Sequence, residues 1–143
     1  MANYATQTDM EDLYGEAEVL IAADRDGSGV VDPEAMASAL VKATSEMNSY
    51  IGVRYDLPLA GTNEKLEEVC CEISMYRLSA DSPAYTEEKR VRYDDAIKWL
   101  CRLADGKATL GIIEESEDVD AEVEVSDITQ VRQFTRTKMQ GLF

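Results

Sequence analysis

Residues 32–51, DPEAMASALVKATSEMNSYI, decide the fold class of this chain of 143 residues. Asp32 offers a capping carboxylate and Pro33 suits the first helical position, where its missing N–H costs nothing. Met36, Leu40, Ala43, Met47, Tyr50 and Ile51 then recur every three or four residues. That spacing puts them on one face and predicts a long amphipathic helix running to Tyr55, stopped by Leu57-Pro58-Leu59.

Working outward, both flanks repeat the helical pattern. Upstream, Thr8-Asp9 offers a cap for Met10, Leu13, Ala17, Leu20 and Ile21, and Gly15 divides that run into two short helical pieces. Downstream, Asn63 caps a second long helix in which Leu66, Val69, Cys70, Ile73 and Tyr76 form the apolar stripe. Glu64, Lys65, Glu67, Glu68 and Glu72 fall on its wet side. Thr86, with Glu87 and Glu88 at the positive end, starts a third long helix carrying Tyr93, Ala96, Ile97, Leu100 and Leu103, closed by Gly106. These elements predict an all-α fold: a small helical bundle of three long helices plus short N-terminal helices, spanning residues 1–111.

Composition changes after Gly111. Between Glu114 and Asp127 there are eight acids and no base. Val119, Ala121, Val123 and Val125 alternate with Asp120, Glu122, Glu124 and Ser126, the period of a strand. From Ile128 to Phe143 the sign reverses, with Arg132, Arg136 and Lys138 among Val131, Phe134, Met139, Leu142 and Phe143. Residues 112–143 therefore read as an extended, partly β C-terminal arm. A lone strand needs a sheet edge to complete it, and a basic, apolar terminus fits an acidic surface. Val119, Val123, Val125, Arg132, Phe134, Arg136, Lys138 and Phe143 are the candidate partner-binding residues. Two readings of the arm stay open: exchange between subunits, or a tail that docks on its own bundle or stays disordered.

Charge and composition exclude whole classes of function. Fourteen bases against 29 acids give a net charge of −15, with a pI near 4.3, while 45% apolar residues suffice for one core. Such a surface suits neither nucleic acid nor an anionic membrane, both of which are bound through cations. There is no histidine, which removes Ser-His and Cys-His nucleophiles and imidazole metal ligands. Cys70, Cys71 and Cys101 have no C-x-x-C spacing, so they read as buried core thiols in a reducing compartment. The N-terminus lacks a basic, apolar signal pattern, and no apolar run approaches a membrane span. The paired acids Asp94-Asp95, Glu67-Glu68 and Glu87-Glu88 diverge around a helix and predict solvated faces rather than acid-base pairs. No phosphate-cradling glycine loop is present, so the sequence predicts a protein that is not an enzyme and needs no cofactor.

One loop has metal-ligand spacing. Asp24, Asp26, Ser28, the Val30 carbonyl and Asp32 occupy the oxygen-donor positions of an EF-hand loop, with Gly29 and Val31 also in register. The closing bidentate glutamate is missing, because Ala35 stands there with Glu34 one place early. Asx turns at Asp24 and Asp26 and a cap at Asp32 account for the same residues. A calcium site and a structural turn are the two readings.

Four motifs occur in order along the chain: Tyr4-Ala5-Thr6; Asp24-Arg25-Asp26-Gly27 with Val31-Asp32; Arg54-Tyr55-Asp56-Leu57-Pro58-Leu59; and Arg92-Tyr93-Asp94-Asp95-Ala96-Ile97-Lys98-Trp99-Leu100, followed by Gly106 and Leu110-Gly111. This set resembles the Mu-like phage and prophage virion morphogenesis family, small helical proteins assigned to head-to-tail joining. The terminal Phe134-Thr135-Arg136 and Gly141-Leu142-Phe143 are similar to that family's closing motif. The resemblance implies a structural protein of the tailed-phage neck, an adaptor whose copies form a ring, a dodecamer, beneath the portal protein. It implies as neighbours further copies of the chain, the portal and a downstream neck or tail-terminator protein. DNA would pass through the channel without specific binding, since acidic walls repel phosphates. The expected location is the head-to-tail interface of the virion, reached from the host cytoplasm during assembly. Two other classes stand beside it: a calcium-binding interaction module built on residues 24–35, and an acidic DNA mimic suggested by net charge.

Overall fold

Five helices succeed one another: α1 (Gln7–Tyr14), α2 (Glu16–Ala23), α3 (Pro33–Ile51), α4 (Glu64–Ser79) and α5 (Glu87–Ala104). The structure, a computed structural model, describes residues 2–80 and 82–112, and among these there is no strand. The described part is all-α. The β character expected at residues 119–125 lies outside the described residues, as does most of the arm.

The N-terminal pair forms as two short helices, with a different start. Thr6, not Thr8-Asp9, is the cap: its hydroxyl accepts from the Asp9 N–H while the Asp9 carboxylate accepts from the Thr6 N–H at 2.7 Å, a reciprocal capping box. Gly15, at φ 90°, turns the chain between α1 and α2. This break resets the helical phase, so Leu13 and Ile21, expected on the apolar face, are 42% and 61% exposed. Met10, Val19, Ala22 and Ala23 are the buried members.

In α3, Asp32 caps as expected, its carboxylate accepting from the Glu34 and Ala35 N–H groups. Met36, Leu40, Ala43, Met47 and Ile51 are buried along one stripe. The helix ends at Ile51, a turn before Tyr55, because Leu57 folds back onto Gly52. A Cβ there would lie 3.2 Å from the Leu57 side chain and 3.0 Å from the Asn48 carbonyl. Tyr55 instead leaves the helix and accepts a hydrogen bond from the Leu110 N–H through its hydroxyl.

α4 packs against each of the other four helices, most extensively against α3 and α5. Its buried set is wider than the single stripe read from sequence, adding Cys71, Met75 and Leu78 to Leu66, Val69, Cys70 and Ile73. α5 is capped by Thr86, and Gly106 (φ 79°) follows its end as expected. Arg54 closes that end by donating to the carbonyls of Leu103 and Ala108 at 3.2 and 3.3 Å, cations being favoured at a helix C-terminus. Lys89 is the unexpected core residue. Its side chain is buried, with Nζ donating to the Ala84 carbonyl at 2.7 Å and meeting Glu18 at 2.8 Å. This contact ties α2 to α5.

Ile73 and Ile21 should separate the centre from the rim. We expect Ile73→Ala to cost about 2–5 kcal/mol of unfolding free energy in urea titration, and Ile21→Ala to stay within about 0.5 kcal/mol. Equal costs would contradict the central position of α4.

Candidate functional site

The loop between α2 and α3 is built from short side-chain acceptors and two glycines. The Ser28 N–H donates to Asp24 Oδ1 at 3.0 Å and lies 3.1 Å from Asp26 Oδ1, and the Gly29 N–H donates to Asp24 Oδ2 at 2.9 Å. Gly27 and Gly29 take φ of 72° and 77°, left-handed values that L side chains rarely adopt. Ser28 hydrogen bonds hold the Asp26 carboxyl below its usual range. Asp32 caps α3, and Val30 is 65% exposed. Both Asp24 oxygens are thus engaged by backbone donors. Among the described residues no group of three or more cysteine and acidic side chains gathers in metal-holding geometry.

Arg25, within this loop, leads to a feature no sequence motif announced. Its guanidinium donates to the Leu78 carbonyl at the end of α4 at 3.2 Å. Together with Lys42 of α3 and Arg77 of α4 it lines a cleft of about 330 Å³, alongside Ser38 and Tyr76. Arg77 meets the Glu46 carboxylate at 2.5 Å, and Glu46 also accepts from the Tyr93 hydroxyl at 2.8 Å. Tyr76 stacks on Tyr93 with ring centroids 4.3 Å apart. Burial and the neighbouring Glu46 charge push the Tyr93 hydroxyl up to about 12. The three cations come from positions 25, 42 and 77, so only the packing of α3 on α4 collects them.

The opposite sign gathers around the first half of α4. Asp9 and Asp12 of α1 and Glu64, Glu67 and Glu68 of α4 line a groove of about 240 Å³ beside the exposed Leu13. Next to it Glu72, expected on the wet face, is half-buried. Burial and then the Glu68 charge push its carboxyl up to about 7.

The thiols divide. Cys70 and Cys71 are buried as expected, with burial raising both and carrying Cys71 to about 12, so neither is a thiolate near neutral pH. Cys101 is exposed, contrary to the core expectation, because it lies on the outer side of α5, between the buried Leu100 and Leu103 in sequence but facing away from α4. The expected partner-binding residues Val119, Val123, Val125, Arg132, Phe134, Arg136, Lys138 and Phe143 lie outside the described residues.

Comparison with known proteins gives these surfaces a context. The family described as "Bacteriophage Mu, Gp36" matches residues 4–127. The "Mu-like prophage FluMu protein gp36" of Haemophilus influenzae is 35% identical over 92 residues, which is 64% of either chain. "Gene product J" of Escherichia phage Mu is 29% identical over 131 residues, covering 91% of this chain and 89% of that protein. The match thus spans just under two thirds of the Haemophilus relative and most of the Mu one.

Two substitutions test the local physics. The folded-state carboxyl of Glu72 is raised, so the native state holds its proton longer than the unfolded chain does. Stability is then highest below pH 4.5 and falls as pH rises towards 7, as far as this group is concerned. Glu72→Gln should flatten that fall and raise the melting temperature at pH 8 relative to wild type, measured by thermal melts across pH. Asp24→Ala should cost about 1 kcal/mol by removing the carboxylate that accepts from the Ser28 and Gly29 N–H groups, equally with and without calcium. A calcium-induced rise in melting temperature that the variant loses would assign the loop to a metal instead.

Proposed function

The chain belongs to the bacteriophage Mu Gp36 family, and we propose that it is a non-enzymatic structural protein of the phage particle that joins head to tail as an adaptor ring beneath the portal. The observation that carries this reading is the family match itself, which runs from residue 4 to residue 127 and so takes in both the helical bundle and the acidic segment after it. Two physical features support it. The bundle is small and built around a central helix, suited to packing side by side with its copies. Its surface is strongly acidic, so a channel lined by such copies repels DNA phosphates and lets the genome slide without sticking.

In this reading residues 112–143 form the arm. Val119, Val123 and Val125 add a strand to a partner's sheet edge, while Arg132, Phe134, Arg136, Lys138 and Phe143 anchor the terminus on an acidic surface by apolar burial and ion pairs. The partners are the portal protein, neighbouring copies of the chain in a ring and a downstream neck or tail-terminator protein. The chain works in the virion at the head-to-tail interface, after assembly in the host cytoplasm, and without a cofactor.

Quantitative mass spectrometry of purified particles tests the placement. A copy number close to that of the portal protein is expected, and absence from clean particles would refute the adaptor reading. Removal of residues 128–143 should leave the helical circular dichroism of the bundle intact and abolish joining to the portal. Normal joining by the shortened chain would refute the anchoring role of Arg132, Phe134, Arg136, Lys138 and Phe143.

A further inference from the structure

Charge is sorted by end along α4. Glu64, Glu67 and Glu68 occupy its first turns beside Asp9 and Asp12 of α1, whereas Arg77 in the last turn joins Arg25 and Lys42 around the basic cleft. Helix dipoles favour acids at the start and bases at the end, but that preference does not explain why cations from two other elements converge on the same spot. In a chain of net charge −15, this cleft gathers three cations from three different elements.

These cations are only partly satisfied. Glu46 meets Arg77, yet Arg77 Nε is buried without a hydrogen-bond partner among the described residues. Arg25 donates to a neutral carbonyl, and Lys42 is exposed with no ion pair among the described residues. The lining thus carries three cations and no acid, with Glu46 meeting Arg77 and the Asp24 and Asp26 carboxylates beside Arg25 turned to backbone N–H groups. Its volume of about 330 Å³ admits a few side chains rather than a folded surface. The chemistry that fits is a run of carboxylates on a peptide.

The chain itself contains such a run, eight acids and no base between Glu114 and Asp127. The described chain heads into that run from the far end of the bundle. Asn63, the cap of α4, donates to the Leu110 carbonyl, and a Cβ at Gly61 would lie 3.7 Å from the Ile112 side chain, so the chain passes the start of α4 as far as Ile112. The cleft lies beside its last turn, about 20 Å away at 1.5 Å per residue from Glu64 to Arg77. Segment 114–127 is long enough, at about 3.3 Å per extended residue, to reach beyond its own bundle, and gripping the next copy in this way is the heterologous kind of contact that closes into rings.

We propose that the cleft lined by Arg25, Lys42 and Arg77 receives the acidic segment 114–127 of a neighbouring copy. The proposal rests on the ring-forming reading above and names the surface on which one copy grips the next. It also explains how bundles of like charge associate at all, since the attraction is local and desolvated while the repulsion is spread and screened by salt.

Zero-length cross-linking tests it on the full-length chain. Unlabelled and ¹⁵N-labelled protein are mixed and treated with a carbodiimide, which takes up the water released as Lys42 Nζ and a carboxylate form an amide. The reaction is run on the free chain at high concentration and on the chain incubated with purified portal protein. Digestion and mass spectrometry should then find Lys42 joined to an acid of residues 114–127 in mixed-isotope pairs, in at least one of the two samples. Lys42→Glu should lose self-association with its helical spectrum unchanged, and Glu122→Lys with Glu124→Lys in the same chain should restore it.

Lys42 linked to segment 114–127 only in same-isotope pairs, linked only to portal carboxylates, or linked to neither would overturn the proposal. Portal binding is scored separately by co-sedimentation. A chain that co-sediments with portal but gives no such pairs loses the cleft assignment and keeps the adaptor reading. Mixed pairs in the free chain without portal binding keep the cleft and sink the adaptor.

Discussion

From Val69 to Ser79 no residue of α4 is exposed, and the other four helices exist in their observed places to keep it so. Ile73, Met75, Leu78, Val69 and Cys70 together contact α3, α5 and the α1–α2 pair, and each large side chain removed from water contributes about 1.5–3 kcal/mol. Neither eight-residue helix at the N-terminus would persist alone, since isolated helices of that length are marginal in water. They are stabilised by docking on α4 and by the Lys89–Glu18 contact with α5. The rest of the bundle is a set of polar closures around this core, with Thr6, Asp32, Asn63 and Thr86 at helix starts and Arg54 at the end of α5.

Burial of α4 also governs the electrostatics. Its first half borders water on one side and carries acids, and the next residue, Glu72, is drawn far enough inward for desolvation to raise its carboxyl. Its last turn is clamped between the Glu46–Tyr93 pair and the loop carrying Arg25. The result is a cleft lined by cations at the end of α4 and a groove lined by acids at its start, in a chain whose net charge is strongly negative.

Membership of the Mu Gp36 family and the described bundle bear on different parts of the function. The family match extends past the described residues to 127, so the acidic segment belongs to the shared pattern rather than to an unrelated tail. The loop at residues 24–32 shows how one pattern serves two chemistries. Asx turns and calcium loops ask for the same oxygens at the same spacing, and here Asp24 and Asp32 direct theirs to backbone N–H groups.

The sequence by itself determined the all-α class, the long helices and most of their caps, because periodicity and capping are local and Asp32, Asn63 and Thr86 act on residues two or three positions away. It also marked the change of composition after Gly111. Local reading failed where a neighbour in space outweighed a neighbour in sequence. Gly15 reset the phase that exposed Leu13 and Ile21, Leu57 cut α3 short, and encirclement of α4 buried Met75 and Leu78 off the expected stripe. Cys101 shows the reverse, a thiol expected in the core and found on the exposed face of α5. Only the tertiary structure could place Lys89 in the core or assemble Arg25, Lys42 and Arg77 into one cleft. Their charges are summed across helices that meet through packing, and no spacing along the chain encodes that meeting.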